Sequence, residues 1–255
     1  MIISKTPFRI SLIGGGTDFP SYYKKKTGLV IGGTIDKYCY VTARYLPKVF
    51  DYKHRIVWSK NEVVNNNNEI FHPTVRSVFN YLKINRGLEI HYQGDLQKNS
   101  GLGTSSSFCV GLINSIKNLY KKNISTKNLA QTAIHIEQNI MKENSGSQDQ
   151  IWASYGGFNT IDFKKNNKFK VKKLTLLNSK VNKLNNNLFL IYTGIHKYSH
   201  IVEKDKIINF DKNIHLLDQI YLLAKEFKST IVQNSNVDFI GDILNEYWFL
   251  KKKTF

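Results

Sequence analysis

A glycine- and hydroxyl-rich loop, set between a strand-like run and an amphipathic segment, constrains this chain more than any other feature. Residues 88–92 have the composition of a strand, residues 94–107 form the loop, and residues 108–120 show helical apolar periodicity. The first turn of a helix offers an anion unpaired N–H groups and the positive end of the dipole. Glycines let the backbone approach such an anion closely. The segment therefore indicates either a phosphate-binding helix N-terminus or an ordinary loop with a Ser/Thr cap. It is not a Walker A loop, because no Gly-Lys-Ser/Thr follows.

The net charge of +18 is the strongest compositional signal, and it invites a nucleic-acid interpretation. Only five of the 37 basic residues are arginines, the side chains best suited to base edges and phosphates. The lysines are scattered and accompanied by asparagines, as in 65–68 and 185–187. We therefore expect no nucleic-acid partner. The 41% hydrophobic content suffices for a core in one or two domains.

The two cysteines and the N-terminus bear on the cellular compartment. Cys39 and Cys109 lie far apart without a CxxC pair, which indicates buried free thiols. Residues 1–7 do not resemble a signal peptide, and no apolar run approaches membrane-spanning length. These features predict a cytoplasmic protein with no membrane partner.

Hydrophobic periodicity predicts an α+β fold in which strands dominate up to about residue 192 and helices follow. The predicted strands are 10–13, 29–31 ending at Gly32 and Gly33, 38–45, 56–58, 158–163, 168–177 and 188–192. The predicted helices are 74–82, 108–120, 125–142 with Ser125 as the N-cap, 214–227 and 237–250. Residues 62–68 are expected to form a polar loop, and a domain boundary is expected near 165–190.

Two carboxylates follow the glycine-rich loop in positions that suit phosphate chemistry. Glu137 lies on or beside the apolar stripe of the helix predicted over 125–142, and buried carboxylates are normally paired or bound to cations. Asp149 follows the small polar residues 144–148. Together with the loop, the two carboxylates would suit Mg-nucleotide phosphotransfer. The alternatives are a glutamate at the edge of the stripe that reaches solvent and an Asx turn at Asp149.

The N-terminal region supplies a further polar group. Arg9 interrupts a strand of apolar or small residues, and Gly14, Gly15 and Gly16 precede Asp18. Glycines there allow the close approach of a polyhydroxylated ligand, and an aspartate can accept hydrogen bonds from two sugar hydroxyls. The alternative is a plain turn at the three glycines.

These pieces occur in the order found in the GHMP kinases, and the chain resembles that family in three stretches. Residues 6–19 resemble its first motif, residues 101–107 its Gly-Leu-Gly-Ser-Ser-Ala phosphate loop, and residues 146–150 its Gly-x-x-Asp-Gln segment. The resemblance implies a two-domain fold, with an N-terminal ribosomal-protein-like βα domain and a C-terminal ferredoxin-like domain. It also implies that the protein uses ATP and Mg2+ and acts on a small-molecule sugar phosphate.

The resemblance further implies roles for individual residues. Asp149 would accept or orient the proton of the sugar's anomeric hydroxyl. Arg9 would stabilise the transferring phosphoryl group or lower the proton affinity of the nucleophile. Ser105 and Glu137 would hold Mg2+. The residues implied in phosphate binding are Gly101, Leu102, Gly103, Thr104, Ser105 and Ser106, and those implied in substrate binding are Gly15, Gly16, Thr17 and Asp18.

Within the family, the chain resembles the bacterial kinases that phosphorylate the anomeric hydroxyl of D-glycero-D-manno-heptose 7-phosphate. Residues 8–18 carry this resemblance, because galactokinases have Gly-Glu-His there. Further similar stretches are 58–60, 69–76, 192–194 and 246–248. L-fucose-type and galactose-type sugar 1-kinases are the alternatives.

One motif of the family has no counterpart in this sequence. GHMP kinases carry a Gly-Ala-Gly-Gly-Gly-Gly-like loop near the C-terminus, and nothing like it occurs here. The resemblance then predicts an N-terminal domain over 1–175 and an incomplete C-terminal domain over 176–255. A homodimer or a complementing C-terminal fragment is the expected partner. The alternative to an active kinase is a catalytically silent remnant that binds nucleotide or a partner chain.

Overall fold

The chain forms two compact units in the computed structural model, which describes residues 1–97, 100–191, 213–233 and 237–254. The first unit consists of residues 1–9, 34–145 and 149–156. The second consists of residues 10–33, 146–148 and the described part of 157–255. The boundary between residues 175 and 176 stays a prediction.

Strands and helices are mixed along the chain, which confirms the predicted α+β class. The strands are β1 (Ile2–Ile13), β2 (Gly28–Tyr45), β3 (His54–Val57), β4 (Asn61–Val64), β5 (Leu88–Gly94), β6 (Phe158–Phe163) and β7 (Phe169–Lys173). The helices are α1 (Pro20–Tyr23), α2 (Pro73–Tyr81), α3 (Thr104–Leu119), α4 (Thr126–His135), α5 (Gln148–Tyr155), α6 (Asn178–Asn187), α7 (Ile214–Gln233) and α8 (Val237–Thr254). A π-helical turn, Ile136–Ile140, follows α4 directly. Within the described ranges, no helix is both long and apolar enough to cross a membrane.

The first unit is a sheet with helices packed on one face. Its strands follow the order β4-β3-β5-β2, with β1 paired to β2, and β3 and β5 run parallel. Val41, Ile56 and Ile90 point from the buried face into a core shared with α2, α3 and α4. The alternation of buried and more exposed residues along 38–45 is the pattern that predicted this strand.

Helix α3 approaches the sheet closely because residue 111 is a glycine. A Cβ at Gly111 would lie 2.8 Å from Thr6 Oγ1 and 3.0 Å from Ser4 Oγ. Ser4 Oγ donates a hydrogen bond to the Gly111 carbonyl at 2.9 Å. This contact sets the distance between α3 and β1, and it therefore helps to position the loop from which α3 begins.

The second unit pairs the first half of β2 with β6, and β6 with β7, in antiparallel register. Leu29 lies opposite Asp162, and Ile31 lies opposite Thr160. Helices α7 and α8 pack their apolar faces into a cluster with Ile13, Tyr22, Leu29 and Ile31; their buried members are Leu217, Ile220, Leu223, Ala224, Phe227, Ile231, Ile240, Ile243 and Tyr247. The helices predicted over 214–227 and 237–250 are confirmed, and both extend further.

Gly32 and Gly33 do not end a strand, contrary to the prediction. Strand β2 continues through them from Gly28 to Tyr45. A Cβ at Gly33 would lie 2.9 Å from Phe158 Cδ2. Glycine here admits a neighbouring aromatic ring against an extended backbone, a role that local sequence cannot distinguish from a turn.

Three further sequence expectations differ from the structure. Residues 188–191 form no strand, and Tyr192 lies outside the described residues, as do the similar stretch 192–194 and Lys98 and Asn99 of the loop. The expected polar loop over 62–68 contains part of β4, whose pairing with β3 supplies hydrogen bonds that local polarity does not predict. Helix α6 was not predicted from its Asn- and Lys-rich sequence; Lys180 Nζ donates to the Ile231 carbonyl at 2.8 Å and docks it.

The turn after β1 provides a test of this packing. Gly14 has a φ of +92°, and a Cβ there would lie 2.0 Å from the Leu29 carbonyl oxygen. Gly14→Ala should lower the unfolding free energy by roughly 3 kcal/mol or more, because a left-handed penalty adds to overpacking. Gly157→Ala is the matched control, with a φ of +76° and no atom within 4 Å; it should lose only about 1–2 kcal/mol. Equal losses in urea denaturation would contradict the close packing at Gly14.

Candidate active site

The loop before α3 turns sharply at two glycines. Gly101 and Gly103 both have a φ of +75°, in the left-handed region that favours glycine. A Cβ at Gly103 would also lie 3.2 Å from Arg9 Cγ and 3.3 Å from Asp149 Oδ2. Helix α3 begins at Thr104, so its first-turn N–H groups follow the turn at once. The loop thus places anion-binding backbone donors near an arginine and an aspartate.

The other predicted loop residues divide into buried and exposed groups. The carbonyl of Leu102 accepts a hydrogen bond from Arg9 N at 3.1 Å. Thr104 and Ser106 are buried, whereas Ser105 is exposed. The structure therefore leaves the Ser105 hydroxyl accessible at the start of the helix and directs Ser106 into the interior.

Arg9 and Asp149 form a bidentate ion pair. Arg9 Nε donates to Asp149 Oδ1 at 2.7 Å, and Arg9 Nη2 donates to Oδ2 at 2.6 Å. Arg9 Nη1 donates to the Gly101 carbonyl at 2.7 Å. Strand β1, the first turn of α5 and the glycine-rich loop therefore meet at one guanidinium. Asp149 lies within a helix and is not the residue of an Asx turn.

Glu137 is buried at the start of the π-helical turn, and it does not reach solvent as the alternative supposed. Its Oε2 accepts hydrogen bonds from Ser106 Oγ at 2.9 Å and from Gln150 Nε2. Its Oε1 is buried and has no hydrogen-bond partner among the described residues. Burial, reinforced by the nearby charge of Glu143, raises the pKa of Glu137 to about 8.

Sequence reasoning missed Ser106 and Gln150 as partners of Glu137. The resemblance implies phosphate binding for Ser106, and it includes Gln150 only in the segment around Asp149. The one available signal is their position: each lies directly beside a predicted site residue, Ser105 or Asp149.

Two oxygen atoms near the start of α3 and the π-helical turn are of the kind that binds magnesium. In the part of the chain that the structure describes, no group of three or more His, Cys, Asp or Glu side chains could hold a metal alone. Mg2+ usually takes one or two carboxylates and completes its coordination with waters and substrate phosphates. The unpartnered Glu137 Oε1 and the Ser105 hydroxyl are oxygen ligands of the required kind.

A second polar cluster lies in the second unit, around the glycines before Asp18. Asp18 is buried; its Oδ1 accepts from Gly16 N at 2.9 Å, and its Oδ2 accepts from Gln148 N at 3.4 Å. A Cβ at Gly146 would lie 1.9 Å from Asp18 Oδ2, so only glycine fits beside this carboxylate. Thr17 Oγ1 accepts from Leu29 N at 3.1 Å, which holds the loop against β2.

Two side chains of α8 also reach this cluster, and sequence reasoning missed them. A Cβ at Gly15 would lie 3.0 Å from Lys251 Nζ and 3.1 Å from Tyr247 Oη. The sequence showed residues 251–253 only as a run of lysines near the end of a helix. Only the tertiary fold brings that helix face to the glycines.

The chain is similar in sequence and fold to known kinases. A family model described as the N-terminal domain of GHMP kinases matches residues 69–157. D-glycero-alpha-D-manno-heptose 7-phosphate kinase of Campylobacter jejuni is 27% identical over 264 residues, which cover 98% of this chain and 77% of that protein. The bifunctional fucokinase/GDP-fucose pyrophosphorylase of Arabidopsis thaliana is 27% identical over 66% of this chain and 16% of its own length.

A solved structure extends the likeness to the whole fold. A D-glycero-D-manno-heptose 1-phosphate kinase from Bacteroides thetaiotaomicron superimposes with a TM-score of 0.83 at 23% identity, over 99% of this chain and 80% of that one. These likenesses, with the loop at the start of α3, define an ATP-dependent phosphotransferase. The match of residues 69–157 to the N-terminal domain of GHMP kinases confirms the resemblance to that family seen in the sequence.

Glu137 should make the stability of the protein depend on pH. The folded protein keeps this proton up to a pKa of about 8, whereas the unfolded chain releases it near 4.5. Stability should therefore fall as the pH rises from about 4.5 to 8, by about 1.4 kcal/mol per pH unit from this group. Glu137→Gln cannot ionise, so its unfolding free energy should lack this decrease. The difference between the variant and the wild type should therefore grow by the same amount per pH unit. Urea denaturation at several pH values, without divalent cations, measures the difference.

The exposed Glu226 of α7 offers a matched control for this titration. Glu226→Gln removes one carboxylate from the exposed surface, so it controls for the change in net charge. If the pH profiles of Glu137→Gln and the wild type run parallel, the Glu137 carboxyl does not keep its proton in the folded protein.

Proposed function

We propose that the protein transfers the γ-phosphoryl group of ATP to the anomeric hydroxyl of D-glycero-D-manno-heptose 7-phosphate. The observation that carries the proposal is the bidentate pair of Arg9 with Asp149 beside the Gly101–Gly103 turn. The likeness to a named heptose 7-phosphate kinase over 98% of the chain supports the choice of sugar.

The first unit supplies the groups for the phosphoryl donor. The loop residues Gly101 to Ser106 offer backbone N–H groups and the positive end of the α3 dipole to the phosphates of ATP. The guanidinium of Arg9 adds a full positive charge next to this loop, where it counters the charge that spreads over the phosphoryl oxygens during transfer. The chemistry of this step is mainly positioning and charge stabilisation, which fixed backbone donors serve well.

Asp149 is proposed to receive the proton of the sugar hydroxyl. Arg9 occupies one direction at each of its oxygens, and a carboxylate retains further lone pairs that can accept a hydrogen bond. The hydroxyl oxygen forms a bond to the γ-phosphorus, the bond between that phosphorus and ADP breaks, and the proton passes to Asp149. Arg9 orients this carboxylate toward its task.

Ser105 and Glu137 are proposed to hold Mg2+, which supplies charge neutralisation to the β- and γ-phosphates when bound. Ser106 and Gln150 donate to one oxygen of Glu137 and leave the other for the cation. Gly15, Gly16, Thr17 and Asp18 are proposed to bind the acceptor sugar, with Asp18 accepting from its hydroxyls.

The likeness to a plant fucokinase over two thirds of the chain favours a second candidate, an L-fucose-type sugar 1-kinase. A coupled ADP-release assay with heptose 7-phosphate, L-fucose and galactose separates the candidates. The highest kcat/KM should be found with heptose 7-phosphate. If the protein binds ATP but none of the three sugars causes the release of ADP, the kinase proposal is wrong, and a nucleotide-binding role remains.

Asp149→Asn tests the proposed proton acceptor. The variant keeps the size of the side chain but loses its charge, so kcat should fall roughly 10²- to 10⁴-fold. The affinity for ATP should change little, because Asp149 faces the acceptor's proton in this mechanism. Stopped-assay kinetics and ATP titration calorimetry measure the two quantities.

Asp162→Asn on β6 is a matched control, since Asp162 lies on a strand and pairs only loosely with Lys172 at 3.9 Å. Its kcat should equal that of the wild type. An Asp149→Asn enzyme with undiminished kcat would remove Asp149 from proton transfer and leave positioning by Arg9 as the source of rate.

A further inference from the structure

Three polar side chains of the second unit pack around Gly15. A Cβ at Gly15 would lie 3.0 Å from Lys251 Nζ, 3.1 Å from Tyr247 Oη and 3.6 Å from Gln148 Nε2. We propose that Lys251, Tyr247 and Gln148 form a subsite for the phosphate group that the acceptor sugar already carries. This inference rests on the proposed function, because it names the residues that would bind the charged end of that substrate.

The chemistry of the three groups favours a phosphate over a sugar hydroxyl. Gln148 Oε1 accepts from Ser11 Oγ at 2.7 Å, so the amide presents its Nε2 donor toward Gly15. Lys251 Nζ donates to Tyr247 Oη at 2.9 Å, so the ammonium and the hydroxyl lie side by side. An ammonium, an amide N–H and a hydroxyl all donate, and a phosphate oxygen only accepts. A sugar hydroxyl would also seek an acceptor.

Lys251 is distinguished from its neighbours by its surroundings. Tyr247 and Lys251 are four residues apart on α8, so they share one face of the helix. Lys252 and Lys253 are exposed, whereas Lys251 is partly buried. A favourable interaction with the helix dipole would suit all three lysines equally. It does not explain why Lys251, rather than Lys252 or Lys253, packs against Gly15.

Asp18 gives the same loop a group that binds hydroxyls and not anions. Its carboxylate accepts from Gly16 N and Gln148 N and can accept further bonds from hydroxyls. Lys251 supplies the positive charge that an anion needs and that the carboxylate of Asp18 cannot provide. A sugar phosphate carries both kinds of partner, hydroxyls and an anion, and the loop offers a group for each.

The test compares acceptors that differ only by the phosphate. Calorimetric titration with D-glycero-D-manno-heptose 7-phosphate and with D-glycero-D-manno-heptose gives the affinity ratio for the wild type, Lys251→Met and Lys253→Met. Lys251→Met should weaken binding of the phosphorylated sugar roughly 10- to 100-fold, the value of a charged hydrogen bond. Binding of the unphosphorylated sugar and of ATP should stay unchanged. Lys253→Met should behave as the wild type, and Lys251→Arg should retain most of the phosphate preference.

Other outcomes separate this inference from the proposed function. Equal weakening of both sugars in Lys251→Met, or no weakening, would overturn the subsite. If Lys251→Met does not fold, Tyr247→Phe must still alter the affinity ratio, and an unaltered ratio in that variant overturns the subsite. If the wild type prefers a hexose 6-phosphate, the heptose proposal is wrong, yet the ratio measured with that ligand and its free hexose decides the subsite. A wild type that binds phosphorylated and free sugars equally overturns the subsite even where kinase activity stands.

Discussion

The ion pair between Arg9 and Asp149 is the interaction on which the polar arrangement of the first unit depends. It joins residues 140 positions apart, and Arg9 also holds the Gly101 carbonyl of the phosphate loop. Because the guanidinium is planar and binds with two nitrogens, it fixes the plane of the carboxylate as well as its distance. A lysine would keep the charge and lose that orientation. One side chain thus coordinates a strand, a loop and a helix.

Glu137, in contrast to the Arg9–Asp149 pair, lies where its side chain lowers the stability of the fold. A carboxyl buried beside another acidic residue makes folding less favourable, and its two hydrogen bonds satisfy only one of its oxygens. A core position held only for packing would be filled better by an apolar side chain. The persistence of an unsatisfied oxygen behind the first turn of α3 is understandable if a cation completes it, and this is the physical basis of the proposed metal role.

Local signals in the sequence predicted the local structure well. The strand, glycine turn and helix over 88–120 follow from side-chain type and spacing, and Ser125 caps α4 as predicted, with Asn128 N donating to its hydroxyl at 3.3 Å. Features that depend on distant contacts were not predictable. Gly33 reads as a turn until Phe158 is known to lie against it, and nothing local connects Lys251 with Gly15. The sequence therefore predicted the loop residues of the candidate site, but not the residues that the tertiary fold brings next to them.

The π-helical turn at Ile136–Ile140 changes the helical rotation of the chain between α4 and the segment that leads to Asp149. Met141 N donates to the Ile136 carbonyl and Glu143 N to the Glu137 carbonyl, each at 2.9 Å, so the chain gains length without gaining a regular turn. An α-helix advances about 100° and 1.5 Å per residue. Loss of one residue here would change the rotation and rise between α4 and the end of the turn, from which the chain leads through residues 141–147 to Asp149 and Gln150. Insertions and deletions in this short stretch should therefore be far less acceptable than substitutions.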